Sequence, residues 1–145
     1  MATMEITTRV KCPLACSFCP QPNLIKAYRD AANTVMTLET FGTILNKLPP
    51  HVRIDFSGMV EPWSNPLATK MLEMSVKDNR PVAVYTTLMG MTLKDADVIE
   101  GLFKDHPDNF VVFCLHLPDA KMNMKGYRRS DEYIEVLKCF LEMKD

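Results

Sequence analysis

The sequence predicts an α/β protein built on a parallel sheet. Two observations carry that expectation. Short apolar runs alternate with amphipathic helical runs, in the order β-α repeated four times, a pattern that implies parallel strands joined by right-handed helical crossovers. The chain is 145 residues long, 47% hydrophobic and 24% charged, which suits one domain with a buried core and excludes disorder along its whole length.

Met4 to Val10 reads as the first strand, with Ile6, Thr8 and Val10 alternating against Thr7 and Arg9. A cysteine segment follows between Pro13 and Pro20, and Pro22 and Asn23 prolong it as irregular chain; the stretch to about Val35 is polar and gives no clear period. Thr37 is placed to N-cap a helix carrying Leu38, Phe41, Leu45 and Leu48 on one face, stopped by Pro49-Pro50. Val52 to Ser57 is the second strand, and a loop from Gly58 to Pro66 leads to a helix over 67–77 with Leu67, Met71 and Met74 on one side. After the Asn79-Arg80-Pro81 turn, Val82 to Thr86 is the third strand. Thr92 and Asp95 form a capping pair for a third helix with Ala96, Ile99 and Phe103 inward. His106-Pro107-Asp108 is a turn, Phe110 to Leu115 the fourth strand, and Ser130 or Asp131 opens a last helix with Tyr133, Val136, Leu137, Phe140 and Leu141 on its apolar face. No domain linker, repeat or low-complexity tract interrupts the order.

Composition narrows the function classes. Lys and Arg total 17 against 18 Asp and Glu, a formal net charge of −1, so no global basic field exists to hold a nucleic acid. No apolar run is long enough to span a bilayer, and Met1 to Glu5 lacks the features of a signal peptide. A cytoplasmic location is the expectation, and with it reduced thiols. Five cysteines, an odd number, then argue against a disulfide framework.

Cys12, Cys16 and Cys19 crowd into one short segment, whereas Cys114 and Cys139 stand apart. Four- and three-residue spacing would also suit three small core residues on one helix face, but cysteine is too scarce for that to be the simpler reading. A structural zinc site wants four ligands, and no His lies within 30 residues of Cys19. A zinc site completed by Cys114 or a distant His stays open. An iron–sulfur cluster suits thiolate-only ligation, with one iron left without a protein ligand. In parallel α/β folds, ligands sit beyond the carboxyl ends of the strands. The cysteine segment, the Ser57 to Pro62 loop, Thr86-Thr87 and His116 all fall there.

Cys-x3-Cys-x2-Cys with Phe18 before the last cysteine resembles the signature of the radical S-adenosylmethionine (SAM) superfamily. The resemblance implies a partial parallel (β/α) barrel, about four β-α units of a (β/α)6 core, similar to members that carry a C-terminal extension with extra clusters. It implies a [4Fe-4S] cluster on Cys12, Cys16 and Cys19, whose fourth iron chelates SAM, with Phe18 near the adenine. Ser57 to Pro62 resembles the family's Gly-rich Glu-Pro loop: Gly58, Glu61 and Pro62 match, and Val60 stands where a second glycine is usual. Glu61 would then accept from the SAM ammonium, Thr87 would reach SAM, and His116 would match, loosely, the segment after the fourth strand. The implied chemistry is reductive cleavage of SAM to start radical chemistry on a substrate the sequence does not identify, with a flavodoxin or ferredoxin as electron donor.

Four units are fewer than six, so the single domain over residues 1–145 is expected to be incomplete on its C-terminal side. A partner chain or self-association would then complete the barrel. The rival expectation is a non-catalytic iron–sulfur or zinc-binding module, or a truncated relic. A nucleotide-binding domain lacks the Gly-rich phosphate loop. Cys114 and Cys139 read as small packing residues, His51 and His106 as solvated, Met71 and Met74 as core, and Met89 and Met91 as candidates to line a pocket. Trp63 reads as a cover for the second helix, and Lys121, Lys125, Arg128 and Arg129 as a solvated basic loop.

Overall fold

The computed structural model describes residues 2–29, 34–119, 121 and 123–143. Its strands are β1 (Thr3–Ile6), β2 (Ala15–Cys16), β3 (Arg53–Phe56), β4 (Val82–Thr86), β5 (Phe110–Leu115) and β6 (Met124–Lys125). Its helices are α1 (Gln21–Ala27), α2 (Leu38–Lys47), α3 (Ala68–Lys77), α4 (Leu93–Asp105) and α5 (Asp131–Glu142). The main sheet runs β1-β3-β4-β5, every pair parallel. Because spatial order follows chain order, right-handed crossovers bring α2, α3 and α4 to the same face, and α5, which follows the last strand, packs beside α4 on it. Ile6, Ile54, Phe56, Val82 and Val84 meet Phe41, Met71, Leu72, Ile99 and Val136 there, all buried. No helix among the described residues is long and apolar enough to cross a membrane.

Caps set the helix starts where the sequence expects them. Thr37 accepts from the Thr40 amide at 3.1 Å, Thr92 and Asp95 form a reciprocal capping box, and Ser130 accepts from the Tyr133 amide at 3.1 Å. The carbonyl end of α2 is closed by Arg80, buried to 3% exposure, which donates to the Leu45, Leu48 and Pro49 carbonyls.

Four expectations change. The first strand ends at Ile6, not Val10. Beyond it the buried Thr8 turns its hydroxyl to the Pro62 carbonyl at 3.0 Å, and its own carbonyl accepts from Met36 and Asn65; the chain here leaves the main sheet and makes an isolated antiparallel bridge from Arg9 to Val35. The segment after Cys19 is a helix, α1, not irregular chain, with Pro22 in its first turn, where a missing amide costs nothing. Leu141 is 67% exposed, so the apolar face of α5 ends at Phe140, which stacks on Phe113 with ring centroids 4.8 Å apart. Finally, β2 and β6 form a small antiparallel ribbon apart from the main sheet, which no periodicity announced.

Away from the helices, alternate strand residues build a second, polar face. Glu5 pairs in register with Asp55, and Tyr85 with Cys114. Arg53 holds Asp55 through two hydrogen bonds of 2.6 and 2.8 Å. His116 packs against Tyr85, centroids 6.2 Å apart.

Candidate functional site

One cleft of about 400 Å³ opens over the carboxyl ends of β1, β3 and β4, within the range of small-molecule sites. Cys12, Cys16, Cys19 and Phe18 line it from the cysteine loop, Gly58 and Glu61 from the loop after β3, Thr87 and His116 from the chain after β4 and β5. Every site residue the sequence nominated therefore borders the same space. Met89 and Met91 do not line it, and Met91 is a core residue. Trp63 is buried, its indole N–H on the Thr69 hydroxyl at 2.9 Å.

The cysteine loop is fixed at both ends. Lys11 takes a left-handed conformation, φ 74°, just before Cys12. Downstream, the Ser17 amide donates to the Asn123 carbonyl at 3.0 Å, and Ala15 and Cys16 pair with Lys125 and Met124. Gly126 makes this approach possible: its φ is +92°, and a Cβ there would lie 2.5 Å from the Pro13 carbonyl oxygen. All five cysteines are free thiols, partly buried. The Glu61 amide donates to the Cys12 sulfur at 3.2 Å. Burial pushes the Cys16 thiol up, and the neighbouring Cys12 and Cys19 push it further. Among the described residues, no three His, Cys, Asp or Glu side chains are drawn together closely enough to hold a single metal ion.

Glu61 is the most constrained polar residue of the cleft, 4% exposed. Its Oε1 accepts from the Thr86 hydroxyl at 2.6 Å and the Trp63 amide at 3.3 Å; its Oε2 accepts from the Thr87 hydroxyl at 2.6 Å and the Thr87 amide at 2.7 Å. The Leu88 and Met89 amides donate to the two threonine hydroxyls, which leaves each hydroxyl proton free to point at the carboxylate. Burial pushes the Glu61 carboxyl up, against these four donors, which favour its ionised form. Gly58 lets the loop pass β1: its φ is +81°, and a Cβ would meet the Thr7 hydroxyl at 2.3 Å. Val60, where a second glycine was the familiar residue, has no positive φ and buries its side chain, so this loop closes without that glycine.

Sequence reasoning missed Asn65. It is fully buried, donates to the Thr8 and Met36 carbonyls at 3.0 Å each and accepts from the Leu67 amide at 3.0 Å, joining the roots of the cysteine and Glu61 loops. Asn65→Ala strips the Met36 carbonyl and the Leu67 amide of their Asn65 partner and takes one of two donors from the Thr8 carbonyl, and is expected to cost about 2–4 kcal/mol. A fall in the urea midpoint at constant slope checks this; an unchanged midpoint refutes it. The cleft residues Glu5, Asp55 and Tyr85 were also missed. Their only signal is that charged and aromatic side chains occupy the strand positions that alternate with the core. Comparison with family models, with curated proteins and with solved structures returned no match.

Proposed function

We propose that the chain is a radical SAM protein, or the part of one that holds its cofactors, with a [4Fe-4S] cluster on Cys12, Cys16 and Cys19 and SAM in the adjoining cleft. In this reading its four β-α units are part of a (β/α)6-type barrel. The observation that carries the proposal is the convergence of three thiols, spaced four and three residues apart in sequence, on one cleft with the Glu61 amide directed at the Cys12 sulfur. Three soft thiolate donors suit iron–sulfur ligation. A lone tetrahedral zinc with bonds of about 2.3 Å would need its thiolates roughly 4 Å apart, and the described side chains are not so gathered.

Bound together, such a cluster and SAM supply reductive cleavage of the SAM C5′–S bond. The chain's own residues bind, orient and exclude water. The Glu61 amide tempers the charge on Cys12. The Glu61 carboxylate can take the SAM ammonium when a threonine hydroxyl rotates away, because its roughly four acceptor positions are filled by protein donors. Phe18, 69% exposed, offers an apolar cover at the mouth. The polar face with Glu5, Asp55, Tyr85 and His116 is where a substrate would sit.

Anaerobic reconstitution with iron and sulfide, then addition of SAM and dithionite, is expected to give 5′-deoxyadenosine and methionine in equal amounts. Cluster uptake with no cleavage would identify a non-catalytic cluster-binding module instead.

A further inference from the structure

Trp63 is the only tryptophan of the chain, and it is held twice, through its indole and through its backbone. Its indole N–H donates to the buried Thr69 hydroxyl at 2.9 Å, and that hydroxyl donates to Asp95 Oδ1 at 2.6 Å. Asp95 Oδ2 in turn accepts from the Thr92 hydroxyl at 2.6 Å and the Thr92 amide at 2.9 Å, within the capping box that opens α4. The one hydroxyl proton of Thr69 goes to the carboxylate, so the chain runs in a fixed direction from indole to hydroxyl to carboxylate, each bond polarising the next. The loop after β4 meets the Trp63 backbone. Gly90 there has φ +88°, and a Cβ on it would lie 2.6 Å from the Trp63 carbonyl oxygen.

The same tryptophan belongs to the cradle of Glu61. Its amide donates to Glu61 Oε1 at 3.3 Å, and the next amide, of Ser64, donates to the Glu61 carbonyl at 3.0 Å. Thr86 and Thr87, which donate to the Glu61 carboxylate, begin the loop that passes through Gly90 to Thr92. The chain from Trp63 to Asp95 thus ties the loop that carries Glu61 to the far end of the loop that carries its hydroxyl donors. Trp63, Thr69 and Asp95 do not border the cleft, so none of them touches what it holds.

We propose that Thr69 and Asp95 are positioning residues: by holding the Trp63 indole they fix where the Glu61 carboxylate stands, and so set the affinity of the cleft for the SAM ammonium. The inference rests on the reading of Glu61 as the SAM contact. A binding group keeps its aim only when its own supports are locked by packing and outer hydrogen bonds, and here the outermost support is the start of a helix.

The test is SAM affinity by calorimetry on the full chain reconstituted with iron and sulfide, with iron content measured alongside. Thr69→Val keeps the shape of the side chain and removes the hydroxyl. It is expected to weaken SAM binding about tenfold, the order of loss when an outer partner that orients a binding group is removed, with iron content unchanged. Thr69→Ser keeps the hydroxyl and drops the methyl, and is expected to recover most of the affinity. Ser75→Ala removes another buried hydroxyl of α3, one bonded to the Met71 carbonyl at 3.0 Å, and is expected to bind SAM as the parent does whatever it costs in stability. Asp95→Asn sets an amide N–H₂ group against hydroxyl donors and is expected to weaken SAM binding in the same direction; it decides the matter where Thr69→Val does not fold. Parent affinity in folded Thr69→Val, or in Asp95→Asn, overturns the positioning role while the SAM reading stands. So does a loss in Ser75→Ala equal to that in Thr69→Val, or a Thr69→Ser as weak as Thr69→Val. A parent that loads iron and binds no SAM overturns the SAM reading of Glu61, and the positioning role with it.

Discussion

Replacing any one of Cys12, Cys16 or Cys19 with Ala is expected to abolish iron uptake on anaerobic reconstitution. Among the described residues the three thiols are the only cysteines bordering the cleft, and two thiolates do not hold an iron–sulfur cube against water and added thiol. Cys114→Ala and Cys139→Ala are expected to load iron and sulfide as the parent does. Cys114 lies on β5 opposite Tyr85, and Cys139 packs on the core from α5. Iron, sulfide and the visible absorption of each variant are the measurements. Stoichiometric zinc without sulfide in anaerobically purified parent protein would defeat the assignment, and so would full iron in any of the three single variants.

Glu61→Gln is expected to weaken SAM binding about ten- to a hundredfold with iron content unchanged. The amide keeps the size of the carboxylate but removes the charge that an ammonium would seek. It also sets an N–H₂ group against donors that now converge on oxygen, from Thr86, Thr87 and Trp63, so a loss of about 1–3 kcal/mol in stability accompanies it. Glu61→Ala is expected to lose more stability, because it strands all four donors. Calorimetry on the reconstituted variant separates the two effects. Equal SAM affinity in Glu61→Gln and parent, in a folded protein with full iron, would leave Glu61 as a brace between the two loops and nothing more.

The sheet was legible because its signals are local. β4 and β5 occupy the expected residues, since each is an apolar run between a proline turn and a polar loop. Three helix starts were legible because Thr37, Thr92 and Ser130 cap within three residues of themselves. The strands' carboxyl ends told where the cleft lies, and the cysteine spacing told which thiols face it. What stayed hidden depends on partners far along the chain. The early end of β1 reflects bonds from Thr8 to Pro62 and Asn65. The four-donor cradle of Glu61 needs β3 and β4 to be neighbours before it exists. The basic run at 121–129 read as a solvated loop because nothing near it in sequence reveals that Met124 and Lys125 pair with the cysteine loop. Gly126 carried the trace of that contact, but a lone glycine in a polar stretch does not say what approaches it.

The ribbon between β2 and β6 also orders events in time. Its partners stand more than a hundred residues apart, Ser17 and Asn123 being 106 positions from each other. On a ribosome adding about 5–20 residues per second, the cysteines emerge on the order of ten seconds before the strand that pins them. During that interval the loop-closure entropy is unopposed by the ribbon, and the three thiols belong to a flexible nascent segment open to any soft metal or oxidant. If the site takes a cluster, its secure loading would be a late event, and a chain stalled before Gly126 would present its cysteines without the clasp that holds them.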